Sequence, residues 1–192
     1  MGLNTDLNIG QTPLDPDEIT GLLIPTISVK EELDEFEQLN IEKAMKWTFG
    51  ARIKKEKLLS EKFIKRLHSR MFGDVWEWAG QFRQTEKNIG APWHQIPIQL
   101  RTLLDDCNWW IDHDVFHPDE IAVRFKHRLV AIHCFANGNG RHSRLMANLL
   151  IERILDRPFL TWHHGGNREL YIKSLKAADN GDIAPLLKFA RS

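Results

Sequence analysis

The chain has few cysteines, no surplus of either charge and no long apolar run. Two cysteines in 192 residues, Cys107 and Cys134, provide no disulfide framework and point to a reducing compartment. The 26 basic residues are matched by 26 acidic ones. Such a balance gives no electrostatic footprint for nonspecific nucleic-acid binding, so a nucleic-acid partner is not indicated. Apolar runs such as LVAI at 129–132 fall far short of the roughly 20 residues that cross a bilayer. The first residues also lack a basic segment followed by an apolar one, and a cytoplasmic protein without a membrane partner is the expectation.

What is present is mostly helical text. The opening 27 residues scatter their apolar positions among prolines and glycines and read as an arm packed on one domain spanning 28–192. Ser28, with Glu31 three positions on, predicts a capping box for a helix whose apolar side would include Leu33, Phe36, Leu39, Ile41, Ala44, Met45 and Trp47. Further helices are predicted from about Ser60, over 99–112, over 118–132 behind Pro118, from about Gly140 to Leu155, and as a pair over 167–189 broken at Asn180 and Gly181. Between them DVWEWAGQFRQTEKNIGAPWHQIPIQL changes texture, and its glycines, prolines and short alternation predict a loop with a small hairpin.

Residues 133–144 read HCFANGNGRHSR and fit neither helix nor strand periodicity. Gly138, Asn139 and Gly140 stand where a helix begins. There, free backbone N–H groups and the positive end of the helix dipole favour phosphate. Arg141 and Arg144, three apart, add two guanidiniums, and together these residues suggest a nucleotide. His133 stands at the rim with a ring that titrates near neutrality, a position for general base work. Spacing alone leaves two plain readings open: Gly-Asn-Gly as a helix connection, and the histidine as a packed side chain.

The segment closely resembles the signature of the Fic family through His133, Phe135, Gly138, Asn139, Gly140, Arg141 and Arg144. WEWAGQFR at 76–83 looks like the family's tryptophan-alanine-glycine turn, and 171–189 looks like its closing helices. The pattern most resembles the bacterial branch called mobile mystery protein B. The resemblance implies a mostly α fold, a Fic-type helical bundle with a small β-hairpin flap. It also implies transfer of AMP from ATP to a Ser, Thr or Tyr hydroxyl of a target protein, in the manner of a toxin-like regulator. In that reading His133 is the base, and Phe135 is the buried anchor of the loop. Gly138, Asn139 and Gly140 cradle phosphates, while Arg141 and Arg144 meet the distal ones. The flap, about Lys87 to Ile98, would align a target strand through Asn88, Ile89, Gly90, Trp93 and Ile96. ATP and magnesium would be bound, and a separate antitoxin-like protein would restrain the site.

The resemblance departs at Asn137, where the family usually has an acidic magnesium ligand. A neutral amide oxygen lowers metal affinity and leaves more of the binding to the triphosphate. Two alternatives follow: a Doc-like phosphotransferase, from a flipped nucleotide, and a silent nucleotide-binding regulator. The intact Gly138 and Arg141 favour AMP transfer over phosphoryl transfer. Ser28 to Glu32 has the spacing of the family's inhibitory helix, but Leu33 follows it and the capping box accounts for Ser28. His113 and His117, near Asp112, Asp114 and Asp119, have the spacing of a metal pair, yet Pro118 makes them read as a turn and helix start.

Overall fold

The computed structural model describes residues 16–50, 53–162 and 167–192. Its helices are α1 (Pro16–Ile19), α2 (Lys30–Gly50), α3 (Lys55–Leu58), α4 (Glu61–Phe72), α5 (Ile96–Asp112), α6 (Pro118–Ile132), α7 (Asn139–Arg153), α8 (Arg168–Asp179) and α9 (Ala184–Arg191). The antiparallel pair α6 and α7 forms the centre. On one side α4 packs against α2 and α7, and α5 packs against α6; on the other, α9 packs against α6 and carries α8. Two apolar clusters follow this division. The larger gathers Phe63, Leu67, Phe72, Trp76, Leu100 and Phe135, and the smaller gathers Ala122, Ala147, Ile151, Leu160 and Leu186. Among the described residues no helix is long and apolar enough to cross a membrane.

The helix ends follow local chemistry. Ser60 caps α4 by accepting the Phe63 N–H at 3.2 Å. Pro118 occupies the first turn of α6, where its missing N–H costs nothing. At the start of α2 the Ser28 N–H is accepted by Glu32 at 3.2 Å, so Glu32 supplies the reciprocal half of the box assigned above to Glu31. The expected apolar side of α2 is also rotated. Phe36, Leu39 and Met45 are exposed, whereas the polar Glu37 and Asn40 are buried. Both buried groups are partnered. Asn40 donates to the Arg70 carbonyl and accepts the Asp74 N–H, each at 2.9 Å.

The expected arm lies outside the described residues over 1–15. Its remainder forms α1 and then meets the tryptophan turn through an isolated antiparallel bridge, Leu22 to Trp76. The hairpin expected within 87–98 is not formed: a loop leads into a 3-10 turn at Trp93–Gln95 and then α5. Two causes are visible. Pro97 and the buried pair Ile96 and Leu100, four apart, start a helix rather than a strand. The loop's polar groups also find partners elsewhere, for the Ala91 N–H donates to the Ile132 carbonyl at 3.1 Å.

Candidate active site

The segment 133–138 joins α6 to α7. Its first residue, His133, ends α6 in the left-handed conformation (φ 57°, ψ 59°), which few non-glycine residues adopt and which turns the chain sharply out of the helix. The side chain is almost wholly buried. Burial, and then the nearby cations Arg83 and Lys87, depress its pKa to about 4 against a backbone hydrogen bond to Val130. At neutral pH the ring is therefore uncharged and able to accept a proton.

Behind His133 the loop is fixed from inside. Phe135 has no exposed surface and stacks on His68 of α4, with centroids 3.7 Å apart. The Asn139 side chain spans the loop, accepting the Phe135 N–H at 3.0 Å and donating to the Phe135 carbonyl at 2.7 Å. His68 Nδ1 accepts the Gly80 N–H at 3.0 Å, which leaves the ring proton on Nε2 to donate to the Asn137 carbonyl at 3.0 Å. One neutral ring thus ties the tryptophan turn to the signature loop, and burial holds its pKa well below the usual histidine value. Gly138 adopts φ 76°, and a Cβ there would lie 2.5 Å from the Phe72 ring, so no other residue fits without displacing that ring.

The space above the loop differs. The N-cap residue of α7, Gly138, has no side chain to cap the first turn, and the leading backbone N–H groups have no acceptor within the helix among the described residues. A Cβ on Gly140 would meet nothing within 4 Å. Packing does not require glycine there, and the open volume lies directly over the uncapped turn. Asn139, by contrast, spends its side chain inside the loop, so its contribution to an anion site is limited to its backbone.

Arg141 and Arg144 are held apart. Arg141 Nη1 lies 2.6 Å from Glu37 Oε2 of α2, and its guanidinium rests 4.8 Å from the Phe72 ring centroid. Glu37 also accepts the Trp76 indole N–H at 2.6 Å. Arg144 lies 5.6 Å from the Tyr171 ring centroid on α8. The two guanidiniums, three residues apart on α7, thus rest against different neighbours, Arg141 against α2 and Phe72 and Arg144 against α8.

Arg83, which no spacing argument singled out, pins the flap to the loop. It is 4% exposed, and its Nε donates to the His133 carbonyl at 2.7 Å. Its Nη1 donates to Thr85 O at 2.7 Å and its Nη2 to Ala91 O, while its backbone N–H donates to Cys134 O at 3.0 Å. Burial lowers its pKa from the usual arginine value. Lys87 anchors the same strip through an ion pair with Glu18 of α1 at 2.6 Å. Asn88, Ile89, Gly90 and Trp93 are exposed along it, but Ile96 has no exposed surface and belongs to the core under α5. Ile98, 70% exposed, presents the outward apolar group assigned above to Ile96.

Asn137 turns its side-chain oxygen back onto its own loop. Its Oδ1 accepts the Gly138 N–H at 2.6 Å, and among the described residues no group of three or more His, Cys, Asp or Glu side chains is arranged to hold a metal. At this position a divalent cation would meet a neutral oxygen already engaged by a backbone N–H. His113 stacks on Trp109 and His117 accepts the Asp119 N–H at the start of α6, so that pair does not converge either.

Residues 58–151 match the Fic/DOC family. The chain is 30% identical over 164 residues to the protein adenylyltransferase Fic of Aedes aegypti, an alignment covering 83% of this chain and 32% of that protein. It thus spans about a third of the length of the curated relatives it matches. Among solved structures, Fic-1 (residues 134–508) from C. elegans superposes with a TM-score of 0.70 at 26% identity, covering 90% of this chain and 51% of that one. The BepC effector protein from Bartonella tribocorum, solved with bound AMPPNP, shares the fold at a TM-score of 0.71 and 17% identity, covering 92% and 97%. These relatives speak to the family and not to any branch of it. With the signature loop seated between α6 and α7 inside the matched span, residues 58–151 are a Fic/DOC family domain.

Proposed function

We propose that this chain transfers AMP from ATP to a Ser, Thr or Tyr hydroxyl of another protein. The reading rests on one juxtaposition: a buried, uncharged His133 beside the uncapped, open first turn of α7. The relatives named protein adenylyltransferase Fic support the choice of AMP as the transferred group. His133 takes the proton of the target hydroxyl, the oxygen attacks the α-phosphorus, and the bond to the β-phosphate breaks to release pyrophosphate. Backbone N–H groups of residues 139–141 and the guanidinium of Arg144 hold the polyphosphate, and the exposed strip Asn88–Trp93 aligns the target backbone. Arg141, neutralised by Glu37, contributes less charge than its place in the signature suggests. Any magnesium requirement falls mainly on the triphosphate, because Asn137 adds no charge. Glu32 closes the cap of its own helix, so restraint of Arg144 is assigned to a separate inhibitory protein.

The test supplies wild type and His133→Ala with target-containing lysate, magnesium and ATP labelled on either the α- or the γ-phosphate. Label arriving from the α position only, and falling by roughly a hundred- to ten-thousand-fold in the variant, is the expected result. Label from the γ position would make the protein a phosphotransferase. ATP binding without transfer of either label would make it a silent regulator.

A further inference from the structure

Lys126 of α6 has no exposed surface, yet its hydrogen-bond partner is a phenol rather than a carboxylate. Its Nζ donates to the hydroxyl of Tyr171, the only tyrosine in the chain, and sits 4.6 Å from that ring's centroid and 5.7 Å from the ring of Trp162. Burying an ammonium with a phenol as its hydrogen-bond partner and a carboxylate, Asp179, acting on it only through space is costly, and an apolar side chain would fill the same space at lower cost. The guanidinium of Arg144 leans over the same ring, 5.6 Å from its centroid. Burial alone would raise the phenol's pKa, but the two cations more than offset it and leave the group below its usual value.

We infer that Tyr171, oriented by the buried Lys126, is a positioning residue that aims Arg144 at the distal phosphates of the bound nucleotide, so that the site reads a triphosphate. The inference rests on the nucleotide-binding role given to Arg144 above. It makes α8, which lies outside the matched family span, a working part of the site. Lys126 sets the height of the phenol from below, and the phenol sets the direction of the guanidinium. Neither side chain belongs to the signature loop, yet the charge at its outer edge depends on both.

The test measures dissociation constants for ATP and for AMP, by calorimetry, on wild type, Arg144→Ala, Tyr171→Phe and Lys126→Met. Tyr171→Phe keeps the ring and loses only the hydroxyl, so it decides the matter even if Lys126→Met folds poorly. The expected result is that Arg144→Ala and Tyr171→Phe each weaken ATP about tenfold, as the loss of a charged hydrogen bond does, while AMP changes less than about twofold. If Arg144→Ala leaves ATP unchanged, the role assigned to Arg144 falls and the inference falls with it. If Arg144→Ala weakens ATP and Tyr171→Phe does not, the inference alone is overturned. Equal weakening of ATP and AMP by Tyr171→Phe would also overturn it, because the ring would then serve only the packing of α8.

Discussion

The signature loop and the flap lie side by side, but they are held in opposite ways. The loop at 133–140 is fastened from within by buried groups: Asn139 across its neck, His68 on its carbonyl, and Phe135 stacked beneath. The strip at 84–92, which runs into the expected flap at 87–98, faces outward along most of its length and is fastened chiefly by two cations, Arg83 and Lys87. In the proposed reaction the loop carries the reacting group, and its internal fastening would fix that geometry before substrate arrives. In the same proposal the flap aligns target backbones, a role that suits a strip anchored at points and open between them. Arg83 belongs to both regions, because it donates to the His133 carbonyl on one side and to Thr85 and Ala91 on the other.

Breaking that shared point is expected to have the largest effect on the comparison. Arg83→Gln removes the charge and most of the hydrogen bonds that seat the flap, and a misplaced flap should lower kcat/KM for a target by about a hundredfold. ATP affinity should change little, which steady-state and binding measurements on the same preparation separate. A smaller and different loss is expected from the loop side. Asn139→Ala leaves the Phe135 N–H and carbonyl buried without partners and should cost about 2–3 kcal/mol of stability, read from urea denaturation. The smallest effects belong to the outer flap. Ile89→Ala and Trp93→Ala, at half-exposed positions, should raise the target KM by about twofold to fivefold and leave stability within about 0.5 kcal/mol.

How much of this was legible in the sequence depends on whether the buried face is apolar. The starts of α4 and α6 show in Ser60 and Pro118, and the connection between α6 and α7 shows in its glycines. On α2 the reading by hydrophobic period goes astray, because the helix buries Glu37 and Asn40 against partners far along the chain while Phe36 and Leu39 face outward. The hairpin reading fails for a related reason. Alternation at Gln95–Ile98 is also the first turn of a helix, and only the tertiary partners of Ala91 decide between them. Arg83, His68 and Tyr171 carry no local signal at all. Each makes a contact with a group far along the chain that no local pattern announces, such as Arg83 at the His133 carbonyl and His68 at Gly80 and Asn137.

The account's central claim is that the rigid loop presents His133 already uncharged. Its folded pKa lies below the ordinary histidine value of 6.5, so the group stays a base until the pH falls toward about 4. The same depression at His68 and His142, the latter to about 3, means that the unfolded chain takes up protons first. Stability should therefore decline as pH falls below 6.5, by up to about 1.4 kcal/mol per pH unit for each of these histidines. The decisive measurement is kcat/KM for AMP transfer against pH, with tryptophan fluorescence recorded at each point to confirm the fold. A level profile from pH 8 down to the pH at which the fold itself gives way is expected. A fall through pH 6.5 while the fluorescence is unchanged would contradict the account, because the base would then be titrating as an ordinary, solvent-exposed histidine.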